Sequence, residues 1–119
     1  MANAARNETS ITLMGVDYVV RPSFQTIARI EGALNEGVIS LGQKMTKGEL
    51  SLGGMAVVLH HMAGSTGDRA PKVNDIGEDL MENGIQQHIV SVSEFLLTAF
   101  QGRANMRSVE TPGEPNDET

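Results

Sequence analysis

Near the C-terminus, residues 85–100 read IQQHIVSVSEFLLTAF. Apolar residues recur there at steps of four, three, four and three: Ile85, Ile89, Val92, Leu96 and Ala99. This spacing is that of one face of an α-helix, which Phe95 and Phe100 widen. The opposite face is polar, with Gln87, Ser91, Glu94, Thr98 and Gln101. The pattern predicts a central helix against which the other elements pack.

The composition limits the functions that the chain can carry. Its 119 residues suit one domain, and a hydrophobic content of 39% is enough for one modest core. The absence of Cys excludes disulfides, thiolate metal sites and a Cys nucleophile. The formal charge is −6 and the nine basic residues are scattered, whereas a nucleic-acid surface would be clustered and basic. We therefore expect no nucleic-acid partner.

The ends of the chain differ in composition from its middle. Residues 1–7 are small and polar without an apolar run, which predicts a flexible N-terminus and no signal peptide. Residues 103–119 are acidic and poor in apolar side chains, which predicts a disordered tail. No apolar run is long enough for a membrane span. We expect a single compact domain over residues 8–102, no membrane partner and a cytoplasmic location.

Alternating apolar and polar residues predict a β-hairpin over residues 8–21. Ile11 and Leu13 alternate with polar residues before Gly15, and Tyr18 and Val20 alternate after it. Because Met14-Gly15 is not a preferred two-residue turn, we expect Gly15 at positive φ as the bulge residue of a longer loop.

Helical periodicity and capping residues predict four helices between the hairpin and the central helix. They span residues 24–34, 38–45, 52–63 and 75–83, with N-caps at Ser23, Ser51 and Asn74 and with Gly37 ending the first. The buried residues expected in the first and third are Phe24, Ile27, Ala28 and Leu34, and Leu52, Met55, Ala56, Leu59 and Met62. The predicted fold class is α+β, mostly α: an N-terminal hairpin on a small bundle of four to five helices.

No local motif predicts an active site or a cofactor. His60 and His61 diverge by about 100° on a helix, so that one ion cannot easily take both, and no carboxylate lies four residues from either. The loop that begins at Gly64 lacks the phosphate-loop spacing, and G-x-S-x-G does not occur. We predict a non-enzyme with no catalytic, metal or cofactor-binding residue.

Two pairs of apolar residues are candidates for binding a partner. Met55 and Met62 fit the buried stripe of the third helix, and the alternative is an adaptable Met-lined groove. Val90 and Leu97 form a second, narrow stripe on the central helix. We expect the hairpin or the first helix to cover this stripe, and the alternative is an exposed contact patch.

Glu31 interrupts the apolar face of the first helix. Its stem could pack while its carboxylate reaches water. Alternatively, Glu31 is a structural acceptor, because a buried carboxylate needs N–H donors or a cation. The start of the helix near Leu52 offers such donors, and Arg21 is the second possible partner.

The order of these elements resembles the small tail assembly chaperones of gene transfer agents and related siphophages. The resemblance covers residues 11–102 and is carried by three stretches. These are Leu13-Met-Gly-Val-Asp-Tyr-Val-Val-Arg-Pro-Ser-Phe24 with Ile30-Glu31, then Gly48-Glu-Leu-Ser-Leu52, and then Ile76-Gly-Glu78 through Gly84-Ile85 to Glu94-Phe-Leu96 and Phe100. The chain departs from this family in its Gly53-Gly54 pair and its long acidic tail.

The resemblance implies a non-enzymatic factor that binds the helical tape measure protein, with the tail tube protein as a second partner, in the cytoplasm of the bacterial host. Two other classes remain open. A structural tail component retained in the particle would usually need more strand than one hairpin supplies. A helical DNA-binding regulator conflicts with the acidic charge.

Overall fold

A computed structural model describes residues 7–67 and 69–102. Two antiparallel strands precede five helices: β1 (Thr9–Leu13), β2 (Val16–Val20), α1 (Phe24–Leu34), α2 (Val38–Thr46), α3 (Leu52–Gly64), α4 (Val73–Asn83) and α5 (Gln86–Gln101). This confirms the predicted hairpin and mostly helical fold. Residues 1–6 of the predicted flexible N-terminus and the predicted tail, residues 103–119, lie outside the described residues. Across the described part of the chain, every helix is too short or too polar to cross a membrane.

The hairpin closes through the two-residue turn Met14-Gly15. Leu13 lies opposite Val16 in the register, so there is no longer loop and no bulge, and that expectation was wrong. The φ angles are +50° at Met14 and +84° at Gly15, the positive pair that a type I′ turn requires. The predicted positive φ of Gly15 is confirmed. Met14 adopts a left-handed conformation that the strand twist imposes on it.

This turn supplies a first prediction. Met14→Asn should raise the free energy of unfolding by about 0.5–1 kcal/mol, because Asn tolerates the left-handed region and Met14 is half-exposed. Gly15→Ala should lower it by about 1 kcal/mol, because a Cβ at positive φ is strained even where no neighbouring atom crowds it. Urea unfolding of both variants measures the difference. A Met14→Asn variant less stable than the wild type would contradict the turn geometry.

The helix with the most buried residues is α3, not α5. Seven of its residues are buried: Gly54, Met55, Ala56, Val58, Leu59, Met62 and Ala63. It packs against α1, α4 and β2, whereas α5 packs against α2 and β1. The expectation that α5 is the central element was therefore wrong. A helix buried on most sides lacks the one-sided pattern that periodicity detects, and α5 has that pattern because one side of it faces solvent.

Three apolar residues expected in the core lie on the surface. Phe24 and Phe100 are exposed, and Leu52 is 38% exposed. At about 100° per residue, Phe24 points about a quarter turn away from Ile27 and Ile30, which are buried. Conversely, Thr98 was placed on the polar face but is buried. Its Oγ1 donates to the Glu94 carbonyl oxygen at 2.8 Å, which satisfies the hydroxyl inside the core.

The helix ends agree with the prediction where a local hydrogen bond decides them. Ser23 and Ser51 cap α1 and α3 by accepting from the N–H groups of Thr26 and Gly54. Gly37 does not end α1, because Asn35 takes the left-handed position at φ +53° and Gly37 begins α2. Asn74 is not a cap either.

The fourth helix starts earlier than expected, with Lys72 as its N-cap. Its first residue, Val73, packs against the core, and the helix therefore begins before Asn74.

Glycine at position 54 is explained by a close approach at the start of α3. A Cβ there would lie 3.0 Å from Leu50 Cδ1 and 3.1 Å from Ser51 Oγ. The approach lets Leu50, which precedes the cap, pack against the core beside the first turn of the helix. No such contact exists at Gly53, where a Cβ would meet no described atom within 4 Å.

Candidate functional site

The four candidate partner-binding residues divide between the core and the surface. Met55 and Met62 are buried within α3 and belong to the main core cluster. Their interpretation as core residues agrees with the structure, and the alternative of a Met-lined groove does not, because neither side chain reaches the surface. Val90 and Leu97 are 65% and 41% exposed. The expectation that another element covers them was wrong.

The hairpin contacts α5 along one edge of this stripe and leaves Val90 and Leu97 exposed. Ser91 Oγ donates to the Ser10 carbonyl oxygen at 2.8 Å, and Thr9 Oγ1 donates to Glu94 Oε1 at 3.3 Å. The hairpin therefore packs beside Ser91 and Glu94 rather than over Val90 and Leu97.

An apolar groove lies between α2 and α5 beside this stripe. Its volume is about 300 Å³. Met45 and Leu96, both buried, form its floor, and Ile39, Leu97 and Phe100 are exposed along its sides. The groove brings Leu97 together with α2, but Val90 lies about two turns before Leu97 on α5 and does not line the groove. Sequence reasoning missed Ile39, although its position off the Val38–Leu41–Met45 stripe of α2 is a signal that could have found it.

A charged cluster lies on a different face of α2 from the groove. Lys44 Nζ lies 2.9 Å from Glu36 Oε2, and the Ser40 hydroxyl donates to the same carboxylate. The hydrogen bonds from Ser40 and Lys44 lower the pKa of Glu36 below its ordinary value. Lys44 is therefore already paired with an acidic side chain. Lys47, which lines the groove, pairs with no acidic side chain in the described ranges.

Glu31 caps a neighbouring helix, as the structural interpretation predicted, but the helix is a different one. Its Oε2 accepts a hydrogen bond of 2.8 Å from the backbone N–H of Val38, the first residue of α2. The expected partners, the start of α3 and Arg21, were wrong. Gly37, the N-cap of α2, has no side chain to satisfy these N–H groups, and Glu31 supplies the missing acceptor.

This contact supplies a second prediction. Glu31→Leu should lower the free energy of unfolding by about 1–2 kcal/mol, because it leaves the Val38 N–H without its acceptor. Glu31→Gln should cost less, since the amide oxygen can accept the same bond. Thermal and urea unfolding measure both variants. Equal, negligible effects would show that the bond does not contribute to stability.

The rings of His60 and His61 contact each other edge to face, with their centroids 5.0 Å apart, whereas His88 lies on another helix. The Nδ1–H of His60 donates to the Pro71 carbonyl oxygen at 2.8 Å, which ties α3 to the segment before α4. Burial lowers the pKa of His61, with smaller effects of His60 and Arg29. His88 is buried in α5. Within the described residues, no three His, Asp or Glu side chains cluster in a way that could hold a metal ion.

The geometry of the described residues offers an apolar binding surface with one charged side chain. No family model, curated protein or solved structure matches this chain.

Proposed function

We propose that this protein is a non-enzymatic tail assembly chaperone that binds a helical segment of the tape measure protein in the cytoplasm of the bacterial host. The tail tube protein is a second possible partner. One observation supports the proposal beside the sequence resemblance: α5 carries exposed apolar residues, Val90, Leu97 and Phe100, at a spacing of seven and three residues. A row of exposed apolar side chains on a helix is a surface that a partner helix can cover.

The acidic charge is compatible with this role. A net charge of −6 keeps copies of the chain apart while the apolar row binds its partner. Binding to a helix needs neither a cofactor nor a reacting group, so the proposal requires no catalytic residue.

Co-expression with a tape measure protein, followed by co-purification, tests the proposal. The expected result is recovery of the tail protein with the wild type and at least a tenfold weaker interaction for Val90→Asp and Leu97→Asp, because each places a charge in the buried centre of the interface. Met81→Asp is the matched control, since Met81 is also apolar and 71% exposed but lies on α4.

Three outcomes would change the proposal. Recovery of no tail protein would contradict it. Equal losses with Val90→Asp and Met81→Asp would show that charge, not the apolar row, decides binding. Retention of this chain in finished particles would indicate a structural tail component instead.

A further inference from the structure

The groove between α2 and α5 contains a notch at Gly42. Gly42 lies in the middle of α2 and lines the groove. A Cβ at this position would meet no described atom within 4 Å. Glycine within a helix costs about 1 kcal/mol relative to alanine, and here no steric contact explains that cost. The missing side chain deepens the groove and leaves room for a large apolar side chain of another molecule.

The exposed row on α5 continues beyond the groove. Val90, Ser93, Leu97 and Phe100 follow one another at steps of three, four and three, which places them on one helix face. From Val90 to Phe100 this face extends about 15 Å. Since the groove itself is at the lower limit of volume for a small-molecule site, the extended row favours an elongated occupant.

The walls of the groove favour a helix over an extended strand. Both walls are helices, α2 and α5, whose interior backbone groups are already hydrogen-bonded. A strand in this groove would find no backbone partners for its own N–H and C=O groups. A helix satisfies its backbone internally and presents side chains at i, i+3, i+4 and i+7.

Charge defines the occupant further. Among the described residues that line the groove, only Lys47 is charged. Lys44 is already paired with Glu36, whereas Lys47 has no described acidic partner. Although the protein is acidic overall, it presents a single cation beside its apolar groove. This arrangement favours a partner that carries a carboxylate next to its own apolar face.

We infer that the α2–α5 groove binds an amphipathic helix of another protein, which inserts a large apolar side chain at Gly42 and sets a carboxylate against Lys47. This inference rests on the proposed function for the class of partner, but its geometry is independent of the partner's identity. Gly42 and Lys47 determine which helices fit.

Two stapled helical peptides of about 15 residues, long enough to cover the row, test the inference. Both carry Leu at i, i+3 and i+7, and they differ only in a Glu or a Lys at the end of the apolar face. Fluorescence anisotropy with the full chain should show saturable binding, about threefold tighter for the Glu peptide, the size of an exposed ion pair. Lys47→Glu should reverse that preference.

Gly42→Leu fills the notch and should weaken binding at least tenfold, while leucine is a better helix former than glycine, so the fold is retained. Gly32→Leu is the matched control, because Gly32 is an exposed helical glycine on α1 with no described atom near its Cβ position. It should bind both peptides as the wild type does. NMR shifts of the Ile39 and Leu97 methyl groups should change on titration of the Glu peptide.

No saturable binding, equal affinity of Gly42→Leu and wild type, or a Glu preference that Lys47→Glu leaves unchanged would each overturn the inference. Co-expression with the tail protein distinguishes a failure of this inference from a failure of the proposed function. If Gly42→Leu retains the tail protein as the wild type does, the chaperone proposal stands and the groove is not its site. If the peptides bind the groove but no tail protein is recovered, the groove inference stands alone.

Discussion

Leu96→Ala should lower the free energy of unfolding by about 2–5 kcal/mol. Leu96 is 1% exposed on α5 and belongs to the main core cluster. Its removal loses the transfer free energy of the side chain and leaves a cavity where α5 packs on α2. Because the same side chain forms the floor of the α2–α5 groove, the loss affects the stability of the fold and the shape of the proposed binding surface together.

The next residue along the chain is the matched control. Leu97 is chemically identical and 41% exposed, so Leu97→Ala should cost less than about 1 kcal/mol. Urea unfolding monitored by circular dichroism gives both values under one set of conditions. Similar losses for the two variants would mean that α5 faces the core with a different side from the one described.

Local signals in the sequence were sufficient for most element boundaries. The hairpin followed from the alternation of Ile11 and Leu13 with polar residues, and Ser23 and Ser51 located the starts of α1 and α3. These signals act over three or four residues, because the donor and the acceptor of each capping hydrogen bond are close together in the sequence. The Met14-Gly15 turn was missed because the twist of the paired strands, not the local preference of Met, selects its conformation.

Tertiary contacts decided the features that the sequence did not predict. Periodicity identified α5 because one of its sides is polar, but it could not show that α3 is buried on more sides. Glu31 was recognised as an acceptor from its place on an apolar face, yet its donor, Val38, is determined by the bend between α1 and α2. A pattern can reveal an unusual residue without revealing its partner.

The candidate site depends still more on tertiary structure. Val90 and Leu97 stood out as a stripe, but their exposure depends on where the hairpin crosses α5, which Ser91 and Glu94 determine. The Gly42 notch depends on the packing of α2 against α5. The sequence therefore predicted the α5 side of the proposed binding surface. The α2 side became visible only in the packed structure.

His88 provides a prediction with a specific dependence on pH. Its side chain is 2% exposed, and no described group is hydrogen-bonded to its Nε2. Burial lowers the pKa of His88 below its ordinary value of 6.5, and Asp79 on α4 opposes this only in part. The folded chain therefore keeps the imidazole neutral at a pH where the unfolded chain protonates it.

The sign of the effect follows from proton linkage. At a pH well above 6.5, His88 is neutral in both states and contributes no pH dependence. As the pH falls below 6.5, the unfolded chain binds a proton that the folded chain does not. The free energy of unfolding should therefore decrease by up to about 1.4 kcal/mol per pH unit until the pH reaches the folded pKa.

Two substitutions separate protonation from burial. His88→Leu should be as stable as the wild type or about 1–2 kcal/mol more stable at neutral pH, because it removes a buried polar atom without a partner. Its advantage should grow as the pH falls towards 5. His88→Gln should show the same pH profile as His88→Leu without the gain at neutral pH, since the amide is polar but does not titrate.

His61 requires its own control, because burial also lowers the pKa of His61 and adds a dependence of the same sign. Urea unfolding of the wild type, the two His88 variants and His61→Gln at several pH values between about 5 and 7.5 resolves the two contributions. His61→Gln should retain the part of the slope that the His88 variants lose. If the wild type and His88→Leu lose stability in parallel as the pH falls, His88 does not remain neutral in the folded chain, and the imidazole must reach either solvent or an acceptor.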